Sequence, residues 1–177
     1  PYASAYANKW KGLKTAEESD VFKEVKTSVA KEDVLNLADK LYQIPMGFHL
    51  HPKLEKFFQA RRDAINNGAG IDWGNGESLA YATLLAEGHT IRISGQDVGR
   101  GTFSHRHAVL RDFESGEKYI PFNHLQKDQG ECIIFNSSLS EAAVLGFEYG
   151  WSLADPRALV IWEAQFGDFA NGAQVII

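Results

Sequence analysis

The stretch "SEAAVLGFEYGWSLADPRALVIWEAQ", residues 140–165, sets a helical pattern directly before a strand pattern. Its first half carries a serine suited to capping, a glutamate in the first turn and a run of small and apolar residues, which predicts a helix over 140–154. Its second half, "ALVIWEAQ", is a nearly continuous apolar run bounded by turn signals, typical of a strand buried on both faces of a parallel sheet. A helix feeding a strand of this kind predicts an α/β architecture.

The same alternation extends upstream to Ile71. "DWGNGESLAYATLLAEG" reads as a glycine-bounded helix, "HTIRIS" as a strand by its alternation, and "YIPFN" and "CIIFN" as short strands. The expected fold is therefore a mostly parallel sheet with helices on both faces over residues 71–177, truncated at its C-terminus. Residues 1–70 form the lead-in. Val34, Leu37, Leu41 and Ile44 share one face of a helix that Pro45 stops. A second helix starts at Pro52, with Leu54, Phe57 and Phe58 on one face, and breaks at "NNGAG". The first 30 residues are polar, carry Tyr2, Tyr6 and Trp10, and show no period. They predict an extended arm packing on something outside this sequence. No repeat or low-complexity segment is present.

Composition narrows the function. Eighteen Lys and Arg against 23 Asp and Glu give a net charge of -5 with no basic block, which argues against a nucleic-acid partner. The single cysteine, Cys132, lies in the apolar run "ECIIF" and reads as a buried, inert thiol in a reduced, cytoplasmic-type protein. No apolar run approaches the roughly 20 residues needed to cross a bilayer, and the N-terminus lacks the order of a signal peptide. The expectation is no membrane partner. The first residue is proline and the last seven, "NGAQVII", lack a helix stop, so the chain reads as a piece of a longer one.

Three segments carry chemistry. "SGQDVGRGTFSHRH" follows a strand, placing His105 and His107 where ligands of open α/β sheets collect. The glycines do not form a dinucleotide fingerprint, because its third glycine position falls on Ser104. Spacing alone leaves the histidines open as metal ligands, as solvated loop residues, or as a catalytic or substrate-binding pair; a zinc site lacks the further ligands it needs. "NSSLSEAAVLGFEYG" puts Glu141 in a first helical turn, where the helix dipole alone accounts for it, and gives Glu148, deeper in the helix, still less to do. "VIWEAQFGDFAN" ends a strand in Glu163 and Gln165 and brings Phe166 and Phe169 around Gly167, as core packing or as a clamp on a flat ring.

Taken together, these segments with "IPFNHL" and "LADKLYQIPMGFHLHPKLEKFFQARR" resemble the thiamine-diphosphate-dependent first component of the 2-oxoglutarate dehydrogenase complex, over essentially everything after residue 30. "FSHRHAVL" points to the 2-oxoglutarate branch rather than to the transketolase or pyruvate dehydrogenase relatives. The resemblance implies the pyrimidine-binding domain of a homodimeric enzyme that decarboxylates 2-oxoglutarate and passes the succinyl group to a lipoyl-bearing succinyltransferase, in a bacterial cytoplasm or a mitochondrial matrix. It implies that Glu141 bonds a ring nitrogen of the cofactor's aminopyrimidine, that Phe166 and Phe169 flank that ring beside Gln165, and that Leu139 lies near the bend of the cofactor. It assigns His107, with His105 as companion, to the reacting centre. The family's Gly-Asp-Gly segment for magnesium and diphosphate has no counterpart here, since "GDF" at Gly167 is not that motif. This implies thiamine diphosphate and Mg2+ in the full-length enzyme, no metal ligands in this piece, and neither activity nor tight cofactor binding by the piece alone.

Overall fold

The computed structural model describes residues 9–177, with Phe169 described by its backbone alone. Helices α1 (Lys31–Leu41), α2 (Pro52–Asn67) and α3 (Trp73–Ala86) precede strand β1 (Ile91–Gly95). A two-stranded antiparallel hairpin, β2 (Leu110–Arg111) and β3 (Lys118–Tyr119), follows, then β4 (Cys132–Asn136), α4 (Glu141–Ala154) and β5 (Leu159–Glu163). The main sheet is parallel, in the order β4-β1-β5.

Local chemistry explains the helix ends. His51 accepts from the Lys53 amide ahead of Pro52, and α2 closes on Gly68 in the left-handed region, so both ends meet their bonding needs. Asp72 caps α3 by accepting from the Asn75 amide at 2.6 Å. Helix α1 closes at Leu41, one turn short of Pro45, whose ring disfavours helical backbone at Ile44.

β1 is buried at every position. Ile91 and Ile93 face Ala82 and Leu85 of α3 in the main core, and Ile134 and Ile161, in the sheet row of Ile93, pack on the same cluster. Full burial of each isoleucine side chain stabilises by roughly 1.5–3 kcal/mol. That cluster continues through Leu37, Leu41, Phe58 and Ile65, so the helical lead-in shares its core with the sheet. The opposite face of β1 turns Arg92 and Ser94 toward α4.

Two expectations are corrected. β4 and β5 are not buried on both faces, because only β1 lies inside a three-stranded sheet; Phe135 is 57% exposed and Leu159 36%. "YIPFN" is a strand only to Tyr119. Pro121, which has no N–H for a ladder, opens a 3-10 turn over Pro121–Asn123. Residues 9–11 of the N-terminal arm touch their own chain, the Trp10 indole donating to the Leu153 carbonyl at 2.7 Å, Lys9 pairing with Asp155, and Arg157 donating to the carbonyls of Lys9 and Lys11, whereas Val21, Phe22 and Val25 are exposed. Tyr2 and Tyr6 lie outside the described residues. Within β1, Arg92 and Ser94 are nearly as enclosed as the isoleucines.

Cys132 is 2% exposed, and burial pushes its thiol up to about 12, as its apolar surroundings imply. Among the described residues no helix is long and apolar enough to cross a membrane.

Candidate functional site at the carboxyl edge of the sheet

Parallel strands in register bring their ends to one line. Gly95, Asn136 and Glu163 are sheet partners at the last position of β1, β4 and β5. The segments leaving that line carry His105 and His107, then Leu139 and Glu141, then Gln165 and Phe166. Gly95 is required there: its φ is 142°, and a Cβ would meet the Glu163 carbonyl oxygen at 2.5 Å.

Two clefts open along this edge. One is narrow and lined by Gly95, Leu139, Glu141, Val144, Glu163 and Gln165. Glu141 is the first residue of α4, half-buried, and its carboxylate lies against Gly172, where a Cβ would meet Oε2 at 2.6 Å. The other is a mainly apolar pocket of about 280 Å³ lined by Thr102, Phe103, His105, Glu163, Ala164, Gln165 and Phe166. Phe103 and Phe166 meet edge to face at 6.1 Å and are 71% and 82% exposed, so neither ring is spent on the core. Glu163 and Gln165 line both clefts and form a shared wall.

The two histidines part company. Ser104 and His107 have φ of 53° and 47°, and these left-handed residues turn the backbone between the rings. His105 enters the pocket with its ring over Gly101 and its Nε2 3.3 Å from an Arg106 nitrogen. His107 instead sets its ring edge-on to Phe57 of α2 at 5.3 Å and lines neither cleft. The structure thus gathers Leu139, Glu141, Gln165, Phe166 and His105 along one edge, and leaves His107 on the side facing α2. The side chain of Phe169 lies outside the described residues.

Burial lowers the His107 pKa, against a backbone hydrogen bond at Ser104 that raises it and with the charges of Arg61 and Arg100 adding to the depression. The unfolded chain takes up a proton as pH falls through about 6.5, whereas the folded chain does so only at lower pH. Folding stability should therefore fall as pH drops below that value, and level off below the folded pKa. Chemical denaturation of the wild type and of His107→Asn at pH 7.5 and 5.5 checks this. The wild type should lose more stability than the variant, and equal losses would refute it.

Beneath the edge lies a buried ionic cluster that the spacing of the histidines did not reveal. Arg106, 4% exposed, donates through Nε and Nη2 to Glu77 at 2.7 and 3.1 Å, through Nη1 to the Val98 carbonyl at 2.8 Å, and through Nη2 to Glu163. Burial opposes its charge, but the bonds to Glu77 and Glu163 outweigh it and raise its pKa. Its position between two histidines was the only sequence signal. Among the described residues no three His, Cys, Asp or Glu side chains are grouped to hold a metal ion.

Residues 69–177 match the family model of the transketolase pyrimidine binding domain. The 2-oxoglutarate dehydrogenase E1 components of Brucella canis and Brucella suis are each 54% identical over 167 residues, and that of Brucella anthropi is 53% identical over the same length. Each alignment covers 94% of this chain and 17% of the relative, so the chain spans about a sixth of the proteins it matches.

Proposed function

Because this chain belongs to the family of transketolase pyrimidine-binding domains, we propose that it supplies the pyrimidine half of a thiamine diphosphate site in the first component of a 2-oxoglutarate dehydrogenase. The observation that carries the proposal is the shared wall of Glu163 and Gln165, with the Glu141 carboxylate on one side and the exposed Phe166 ring on the other. An acidic acceptor beside an aromatic face suits a flat, hydrogen-bonding heterocycle.

In this reading Glu141 accepts a hydrogen bond from a ring nitrogen, and Phe166 and Phe169 offer their faces to the ring. Leu139 supplies apolar contact where the cofactor bends, and Gln165 is steadied by its bond to the Thr102 hydroxyl at 3.1 Å. The bound cofactor supplies the electron sink for decarboxylation. His105, whose ring lines the pocket, forms the wall of the site on the oxo-acid side. His107 stands on the side of α2, its ring against Phe57.

The diphosphate and Mg2+ fall to another part of the parent protein, contributed by the partner in a homodimer, and the piece alone neither turns over substrate nor holds the cofactor tightly. The full reaction converts 2-oxoglutarate to carbon dioxide and a succinyl group carried by the lipoyl-bearing succinyltransferase, in a bacterial cytoplasm.

The test is turnover by the full-length protein with thiamine diphosphate and Mg2+. Carbon dioxide release should be fastest with 2-oxoglutarate. Faster release from pyruvate or a branched 2-oxo acid would assign a different substrate, and no turnover of any would make the domain an assembly module.

A further inference from the structure

We propose that Arg106 is a positioning residue: through its ion pairs to Glu77 and Glu163 it fixes the orientation and the ring tautomer of His105 beside the Phe103–Phe166 pocket. The inference rests on the reading of that pocket as part of the reaction site.

The guanidinium ties three elements together. Glu77 belongs to α3, Glu163 ends β5, and Arg106 sits in the segment that leaves β1. A guanidinium has donors only, so at its 3.3 Å approach Nε2 faces it as an acceptor, sharing the two Nη2 hydrogens with Glu77 and Glu163. In the neutral ring the proton then resides on Nδ1. That nitrogen is buried and bonds to nothing among the described residues, which leaves its donor uncommitted. The ring cannot sink further, because it already rests on Gly101, where a Cβ would meet Cε1 at 2.5 Å and Nδ1 at 2.6 Å.

The same cluster reaches the other wall of the pocket. Glu163 Oε1 accepts from the amide and hydroxyl of Thr102, both at 3.4 Å, and that hydroxyl in turn accepts from Gln165, next to Phe166. One buried cation therefore sets the histidine and the strand end that carries the aromatic ring. Stability alone does not call for it, since apolar side chains of similar volume often replace a buried ion cluster without loss. Lysine keeps the charge but lacks the fork that serves Glu77 in two places while reaching Val98, Glu163 and His105.

The experiment uses the full-length enzyme loaded with cofactor, as wild type, Arg106→Lys, His105→Ala and the double variant, together with a crystal structure of Arg106→Lys. Misplacement of a reacting group by about 1 Å costs on the order of 10²-fold, so Arg106→Lys should lower kcat/KM for 2-oxoglutarate by about that factor, in kcat more than in KM. In the His105→Ala background the same change should cost clearly less, leaving only the share that runs through Glu163 to the strand end. In the crystal structure the His105 ring should be turned or displaced. Independent, multiplying losses would overturn the proposal, as would wild-type kinetics for Arg106→Lys or a His105 ring left in place. If Arg106→Lys does not fold, Glu77→Gln removes one arm of the fork, and the same cycle with His105→Ala decides. A wild-type enzyme that turns over no 2-oxo acid would refute the functional reading instead; the ring position in the variant crystal would still judge the positioning.

Discussion

Glu141→Ala in the full-length enzyme is expected to slow turnover of 2-oxoglutarate by about 10²- to 10⁴-fold, the range over which proton-transfer groups act. A first-turn glutamate that served only the helix dipole would cost about 1 kcal/mol or less on removal, and nothing in rate. The two readings are thus separable by kinetics and denaturation on one variant. The geometry favours the larger effect, since Glu141 lines the narrow cleft together with Leu139 and Gln165. Proton exchange at the thiazolium carbon of bound cofactor, followed by NMR, should slow in parallel. An unchanged exchange rate with intact folding would reduce Glu141 to a helix-terminal charge.

The second large effect is on stability and lies on the opposite face of β1. Glu148→Ala should destabilise the fold by about 3–5 kcal/mol, the cost of leaving a buried charge without its partner. Arg92 is 7% exposed and Glu148 4%, and they bond bidentately at 2.7 and 2.9 Å. Trp151 lies 4.4 Å from the guanidinium carbon and Phe135 and Phe147 at 5.3 Å, so an orphaned Arg92 would face aromatic rings rather than water. Denaturant titration measures the loss. Replacing both partners by leucine should restore most of it, and a single variant within about 0.5 kcal/mol of wild type would show that Arg92 finds water instead.

Glu148 also marks where sequence reasoning stops. Helical periodicity placed it inside α4, and a glutamate mid-helix is ordinarily a solvated charge. Its partner lies in β1, 56 residues earlier, and only the packing of α4 across the sheet brings the two together. Arg106 is the same case: its neighbours His105 and His107 drew attention, yet Glu77 and Glu163 come from elements 29 and 57 residues away.

Elements with local causes were legible. The helix start at Pro52 and the alternation in "HTIRIS" each rest on chemistry within a few residues, and both appear in the fold. The place of Gln165 and Phe166 at a strand's carboxyl end was legible because parallel strands deliver their following segments to one edge, whereas Glu141 read as a first-turn charge and joined them only through the resemblance. The divergence of His105 from His107 was not, because it depends on left-handed backbone at Ser104 and His107, residue types that seldom adopt it. The burial of β4 and β5 was overestimated for a related reason, since strand order decides which strand is interior and apolar content does not.

Whether this edge binds the pyrimidine of thiamine diphosphate is decided by a crystal structure of the full-length protein with that cofactor and Mg2+. The account predicts a Glu141 carboxylate oxygen about 2.6–3.2 Å from a ring nitrogen, with the Phe166 ring against the pyrimidine and Leu139 touching the cofactor. A cofactor seated elsewhere, with the Glu141 carboxylate still packed on Gly172 and the Phe166 ring bare, would contradict it.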